Sequence, residues 1–173
     1  MAWTETTRRY YRRDGLRYAS DLTDAEWALI EPFMPPPMTT GRPRKTKLRD
    51  VVEAILYMAS TGCQWRAIPK EFPPYSTGQG YFYAWSHDGL LADINHVLVG
   101  AMRAKAGRQA SPTAGVIDSQ SVKTTESGGP RGFDAGKKIK GRKRHALVDT
   151  DGRGLVLEPH PADVQDRDAA GPV

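Results

Sequence analysis

One aspartate in the second half of this 173-residue sequence has the surroundings expected of a metal-ligating carboxylate. Asp118 ends a short apolar run, residues 114–118, and the polar residues 119–121 follow it. This pattern predicts a buried strand that delivers Asp118 to its exposed end. A carboxylate there suits Mg²⁺, which binds one or two carboxylates together with water and phosphate oxygens, and such ions can drive phosphoryl transfer. The alternative is that Asp118 is a turn or capping residue.

Two groups of basic residues are predicted to contact nucleic acid. One lies in an extended linker after a proline-rich stop and consists of Arg42, Arg44 and Lys45. The other lies just before a predicted strand and consists of Lys137, Lys138, Lys140, Arg142, Lys143 and Arg144. Such side chains neutralise phosphates and give a salt-dependent, sequence-independent affinity. Because glycines interrupt the second run and a strand follows it, nucleic-acid contact is favoured over an exposed solubilising loop.

Other candidate groups have simpler structural explanations. The aromatic residues Trp65, Tyr81, Phe82 and Trp85 could stack on bases, but their helical spacing favours a core role. His160, Asp163, Asp166 and Asp168 could form a metal cluster, although Asp-rich segments after a strand usually begin helices. The single cysteine, Cys63, can form neither an intrachain disulfide nor a zinc site by itself, and is predicted to be a small core residue.

The elements that position these residues are predicted to be helices first and strands afterwards. Thr23 and Glu26 fit a capping box at the start of a helix from Asp24 to Phe33. Apolar spacing predicts further helices over 48–61, from Ser76 or Thr77 to His87, and over 90–105. Short helices in a basic context predict a helix-turn-helix-like module, the alternative being a helical bundle with no ligand. The dipeptide at 151–152 predicts a hairpin between strands 145–150 and 154–158.

These patterns predict an α+β protein with a basic arm. We expect a flexible basic arm over residues 1–19, a helical DNA-binding domain over 20–107 and an α/β segment over 108–173. The net charge of +5 and the pI near 9.4 favour a polyanionic partner. No apolar run approaches the roughly 20 residues that span a bilayer, and no signal-peptide pattern begins the sequence, so we expect a cytoplasmic protein with no membrane partner.

Several of these segments, in this order, resemble one protein family. LTDAEW at 22–27, GRP at 41–43 and GCQWRAIP at 62–69 resemble the N-terminal domain of insertion-sequence family-five-like transposases, which are DDE transposases of the IS4/IS5-type group. VIDSQSVKT at 116–124 resembles the first catalytic strand of these enzymes. GKKIKGRKRH at 136–145 and ADVQDRD at 162–168 are similar to the segments that follow it. The resemblance covers nearly everything from residue 20 onward.

This resemblance implies a DNA transposase with a ribonuclease H-like α/β domain. In such enzymes two aspartates and one glutamate hold divalent ions, usually Mg²⁺, and catalyse cutting and joining of DNA strands. Asp118 matches the first of these carboxylates, whereas the motifs that carry the second and third are absent from the 173 residues. The α/β domain is therefore expected to be incomplete, and the protein to be truncated at its C-terminus. We expect it to bind element terminal repeats and target DNA, but not to be active alone.

Two other classes of protein are alternatives to a transposase. The protein could be a non-enzymatic DNA-binding regulator of transposition, or a helical interaction module without salt-dependent DNA affinity. If it is a transposase, it could come from a degenerate gene or be the first of two frames. A homodimer or association with a second-frame product is then the expected assembly.

Overall fold

The computed structural model describes residues 12–37, 39, 41, 43–124, 129–165 and 168. Contacts divide the protein into two compact units, Met1–Leu91 and Ala92–Val173. The first unit is helical, and the second combines most of one helix with an antiparallel sheet. The predicted α+β order, helices before strands, is confirmed. The predicted domain boundary at 107 lies after this division, because most of the last helix packs with the sheet.

Among its described residues, the first unit contains three α-helices: α1 (Asp24–Ile30, continued by a 3₁₀ turn at Glu31–Phe33), α2 (Leu48–Thr61) and α3 (Tyr75–His87). The predicted capping box of α1 is confirmed, since Thr23 Oγ1 accepts the Glu26 N–H at 3.2 Å and Glu26 accepts the Thr23 N–H at 2.8 Å. Gly62 ends α2 in the left-handed conformation, with φ of 67°. These local signals fix where α1 begins and where α2 ends.

Apolar residues of α2 and α3 form the core of the first unit. Leu48, Val51 and Trp85 are buried together, and Tyr81 packs against them. Trp65, from a 3₁₀ turn at Trp65–Ala67, lies close to α3 and contacts Phe82 at 5.6 Å between ring centroids. The predicted core role is confirmed for Tyr81 and Trp85, whereas Trp65 and Phe82 pack on each other and are half-buried.

The C-terminal part of the predicted flexible arm is packed on the helical unit instead. Arg13 binds the carboxylate of Glu26 at 2.7 Å, and Arg17 binds that of Glu53 at 3.1 Å. Tyr18 stacks on Phe72 at 5.2 Å between centroids. Ion pairs and ring packing thus join this part of the arm to the helical unit, and its flexibility stays a prediction. Residues 1–11 lie outside the described part.

The described part of the second unit contains most of helix α4 (Leu90–Lys105) and four strands. The strands are β1 (Gly115–Lys123), β2 (Gly132–Asp134), β3 (Ile139–Asp149) and β4 (Gly154–Pro161). All pairings are antiparallel: β3 pairs with β1 over its length, and with β2 and β4 at successive stretches. The predicted hairpin between β3 and β4 is confirmed, with Gly152 at φ of 81°. However, β3 begins at Ile139, six residues before the predicted start at His145, and β2 was not predicted.

A buried ion pair holds α4 to this hairpin. Arg103 Nη1 lies 2.6 Å from Asp149 Oδ2, and the side chains are 7% and 0% exposed. The other Asp149 oxygen accepts the N–H groups of Asp151 and Arg153 at 2.9 and 2.8 Å. Burial by itself would raise the pKa of Asp149, but these bonds outweigh it and hold the pKa well below its ordinary value. In the part of the protein that the structure describes, no helix is long and apolar enough to cross a bilayer.

Candidate active site and nucleic-acid surface

Asp118 lies in the middle of β1 and not at its end. It pairs with Ala146 of β3, and the pairing continues to Lys123 opposite Gly141. The strand is not buried either, because Val116 and Ile117 are 56% and 46% exposed. The prediction of a buried strand ending at Asp118 was therefore wrong on both points. The polar residues after Asp118 continue the ladder because β3 offers partners for them.

One open face of the sheet carries Asp118 together with two arginines. Side chains alternate along a strand, and directly paired residues share a face. Gln120 pairs with Arg144 and Val122 with Arg142, so these residues lie on the same face as Asp118. Arg144 Nε donates to Gln120 Oε1 at 2.9 Å, and Arg142 Nε donates to the Pro130 carbonyl at 3.0 Å. A carboxylate and two guanidinium groups are thus presented together, with Asp118 and Arg144 exposed.

Lys143 points to the opposite face and is not available to DNA. Its residue is 5% exposed, and Nζ lies 3.3 Å from Asp134 Oδ2 and donates to the Val164 carbonyl at 3.0 Å. Asp134 also accepts the Ser121 hydroxyl at 2.6 Å and the Lys137 N–H at 2.9 Å. These bonds, that from Ser121 foremost, hold the pKa of Asp134 well below its ordinary value. The predicted DNA contact of Lys143 was wrong, because this lysine neutralises a buried carboxylate.

The remaining cations of the basic run are at the surface. Lys137, Lys138 and Lys140 are exposed around the turn between β2 and β3. Lys137 Nζ donates to the carbonyl and hydroxyl oxygens of Ser119, at 2.7 and 3.0 Å. This tethers one ammonium group to the residue that follows Asp118 in β1.

The linker cations of the first unit line a groove. Arg44 and Lys45 are exposed, and Arg44 Nη1 donates to the Pro35 carbonyl at 3.2 Å. The groove has a volume of about 310 Å³ and is lined by Pro35, Pro36, Arg44, Lys45, Thr46, Thr77 and Tyr81. None of these lining residues is acidic. Arg42, predicted to act with them, lies outside the described residues.

The described residues do not assemble a metal centre. No group of three or more His, Cys, Asp or Glu among them is placed to hold an ion. His160 is engaged otherwise, since its Nε2 lies 2.6 Å from His145 Nδ1. Asp163 and Asp168 are exposed, and Asp166 lies outside the described residues. Asp118 thus offers one carboxylate where the resemblance implies three, so we assign no catalytic step to a bound ion.

Sequence reasoning missed the polar character of the buried sheet face. Lys143, His145 and Asp149 alternate along β3 and are 5%, 1% and 1% exposed. The sequence itself carried no such alternation, because residues 142–145 are all basic and 146–148 are all apolar. A longer β3 prediction would have assigned the cations of the run to two faces.

Comparisons with known proteins agree with this division into a helical and a sheet-containing part. Residues 22–95 match the model of a putative transposase of the IS4/5 family, and residues 109–173 match that of the transposase DDE domain. Together the two matches cover most of the protein. No solved structure matches.

Two curated proteins are similar over shorter stretches. The uncharacterized protein y4sN of Sinorhizobium fredii is 32% identical over 85 residues, which cover 49% of this chain and 63% of the relative. The uncharacterized 16.2 kDa protein of insertion element IS402 of Burkholderia cepacia is 27% identical over 116 residues, covering 62% of this chain and 76% of the relative. The present protein thus spans less than two thirds of y4sN. The chain is thus similar, over two successive segments, to models of insertion-sequence transposase domains, and it resembles a protein of an insertion element.

Proposed function

We propose that this protein binds double-stranded DNA as part of an insertion-sequence transposase, and that Asp118 contributes one carboxylate to its strand-transfer site. The observation that carries the proposal is the open sheet face on which Asp118 lies with Arg142 and Arg144. Phosphoryl transfer to DNA needs carboxylate oxygens near the scissile phosphate and cations along the backbone. This face offers both kinds of group.

The exposed cations support binding to the phosphate backbone of duplex DNA. Guanidinium groups bind phosphate oxygens in a bidentate manner, and each phosphate neutralised releases counterions. Arg144 already lies against Gln120, whose amide keeps the guanidinium on the open face. Lys140 lies on the same face of β3 as Arg142 and Arg144, and Lys137 and Lys138 are exposed in the neighbouring turn. The substrates proposed are the terminal repeats of the element and its target DNA.

Strand cleavage is proposed only for a protein that has all the acidic ligands. The 173 residues contain Asp118 but neither of the two further acidic motifs that the resemblance implies. We therefore propose that they bind DNA without cutting it. Cleavage of an end-containing duplex by the purified protein in Mg²⁺ would contradict this part of the proposal.

Substitutions on the open face test the proposal directly. Binding to a duplex is measured in EDTA over a salt series for Asp118→Asn and Arg144→Ala. We expect Asp118→Asn to leave affinity unchanged or to raise it, because it removes a charge that repels phosphate. Arg144→Ala should weaken binding. It should also make the slope of log association constant against log salt concentration (the salt slope) shallower by about 0.9, the value for one phosphate.

Lys143→Met serves as the matched control, since its charge is buried against Asp134 on the other face. It should leave the salt slope unchanged. If Asp118→Asn abolishes binding while the protein stays folded by circular dichroism, Asp118 has a structural role and the proposed site is wrong.

A further inference from the structure

The outer face of α3 is an exposed helix surface without negative charge. We define it by Ser76, Gln79, Gly80, Tyr83, Ser86 and His87, which recur at helical spacing. Tyr83 is 59% exposed, and none of the 13 residues of α3 is acidic. The opposite side is buried: Gly78 faces the Trp65 ring at 3.5 Å, measured from an ideal Cβ, and Trp85 is 4% exposed. The core therefore fixes which side α3 presents outward.

Cations stand on both flanks of this outer face. At 3.6 residues per turn, Thr77 lies on one flank and Tyr75 on the other. The first flank borders the groove that Arg44 and Lys45 line. On the second flank, the Arg66 guanidinium lies over the Tyr75 ring, 5.5 Å from its centroid. This contact fixes the guanidinium beside the helix and leaves its N–H donors at the edge.

The acidic residues nearest to α3 in sequence are Glu71, which accepts the Tyr18 hydroxyl at 3.4 Å, and Asp88, which lies 3.2 Å from His87 Nδ1. Several carboxylates of α1 and α2 bind arginines. Asp24 and Glu53 bind Arg49, and Glu26 binds Arg13. The residues of α3 itself include no carboxylate, and Arg44, Lys45 and Arg66 stand on its flanks, whereas Asp88 adjoins its C-terminal end. A polyanion is the partner that fits this distribution.

We infer that α3 inserts its outer face into the major groove of duplex DNA, with Gln79 reading a base and Arg44, Lys45 and Arg66 binding the phosphates on the two sides. The inference rests on the proposed DNA binding and names the surface that gives it sequence preference. An α-helix about 10–12 Å wide fits the roughly 12 Å major groove. Thirteen residues span about 20 Å, enough to cross several base pairs.

Gln79 is the residue of the outer face best suited to read sequence. Its amide can donate to N7 of adenine and accept from the N6 amino group in a bidentate contact, the usual pairing of glutamine in DNA recognition. Its Nε2 lies 3.5 Å from the Tyr83 hydroxyl, which orients the side chain along the helix face. The phosphate-binding cations supply affinity, whereas this amide supplies discrimination.

The test uses the full 173-residue protein and a library of randomised 30-bp duplexes. Wild-type protein selects bound duplexes, and affinity is then measured for the preferred duplex and for the same duplex with each base pair exchanged. For Gln79→Ala we expect preference at one or two positions to be lost, with discrimination falling about 5- to 150-fold there. Affinity for random duplex should stay unchanged. Gln79→Glu should shift the preferred base away from adenine.

Matched controls separate reading from backbone binding. Gln64→Ala removes the same side chain from an exposed position outside α3 and should keep the selected sequence. Arg66→Ala should weaken all duplexes alike and reduce the salt slope by about 0.9, and Arg66→Lys should restore that slope.

The outcomes distinguish this inference from the proposed function. Selection of the same sequence by Gln79→Ala and wild type overturns the role of Gln79 and of this face. So does duplex binding without any sequence preference, or tighter binding of single-stranded DNA. Absence of salt-dependent DNA binding by the wild type overturns the proposed function itself.

Discussion

Gly141 is the residue whose enlargement should disturb the sheet most. It lies where β1, β2 and β3 meet, opposite both Lys123 and Gly132. A Cβ built on Gly141 would lie 1.9 Å from the Val122 carbonyl oxygen and 3.0 Å from the Lys123 Cα. Ordinary contacts of this kind are about 3.4–4 Å, and the obstacle is backbone, which no side-chain rotation removes. Alanine at 141 must therefore push β1 away from β3.

We expect Gly141→Ala to lower the free energy of unfolding of the second unit by about 1–3 kcal/mol, the usual range for overpacking in ordered structure. For a domain of this size each kcal/mol corresponds to a Tm change of about 4–8 °C. All four tryptophans and all seven tyrosines lie in residues 1–91, so their fluorescence reports the first unit alone. Amide hydrogen exchange along β3 reports the second unit. In Gly141→Ala, amide hydrogen exchange along β3 should accelerate. The urea unfolding transition followed by tryptophan and tyrosine fluorescence should stay unchanged, because it reports the first unit.

Gly154→Ala is the control, because nothing lies within 4 Å of a Cβ at Gly154 and its φ is not positive. It should change the stability of the hairpin by less than about 0.5 kcal/mol. If the amide exchange rates along β3 are the same in Gly141→Ala as in this control, the close approach of the β1 backbone does not exclude a side chain at position 141.

Three further predictions concern charge, capping and core packing. The pKa values of Asp134 and Asp149 are lowered, so both carboxylates stabilise the fold fully above the ordinary carboxyl pKa near 4, and this stabilisation is lost as the pH falls below it. The urea midpoint should therefore fall less steeply between pH 6 and pH 3 for the Asp134→Asn and Asp149→Asn variants than for the wild type. Thr23→Ala removes the N-cap of α1 and should cost about 1 kcal/mol, seen as a lower urea midpoint by tryptophan fluorescence; an unchanged midpoint would mean that α1 is held by packing alone. Trp85→Ala should cost about 3–5 kcal/mol in the same assay, whereas Leu29→Ala, at a position 60% exposed, should cost little; equal losses would contradict the assignment of the core.

Local signals allowed the helices and the hairpin to be predicted. Thr23, Gly62 and the turn at 151–152 act through contacts within a few residues, so their effects appear in the sequence itself. The predicted ends of α4, residues 90 and 105, agree with the structure. The apolar spacing of these helices reflects a core that each must face.

The sheet was harder to predict because its pairing joins distant residues. Residues 119–123 look like a polar loop in isolation, and they extend β1 only because β3 provides the ladder. Lys143 looked like its basic neighbours, yet Asp134 and Val164 make its burial possible. A buried charge of this kind depends on partners that local patterning does not reveal.

The candidate site was predicted in part. Asp118 and Arg144 do share an exposed face, although the reason is strand register and not the end of a strand. Arg17, in the predicted basic arm, is occupied by Asp21 and Glu53. Formal charge in the sequence thus overestimates the charge that is available to DNA, because intramolecular ion pairs use some of it.

The salt dependence of duplex binding by the purified protein tests the central claim most directly. Association of a 30-bp duplex is measured between 50 and 200 mM salt. If the exposed cations neutralise four phosphates, the slope of log association constant against log salt concentration is about −3.6, and we expect that value or a steeper one. A slope near zero, or no binding at the lowest salt, would contradict the assignment of this protein as a DNA-binding part of a transposase.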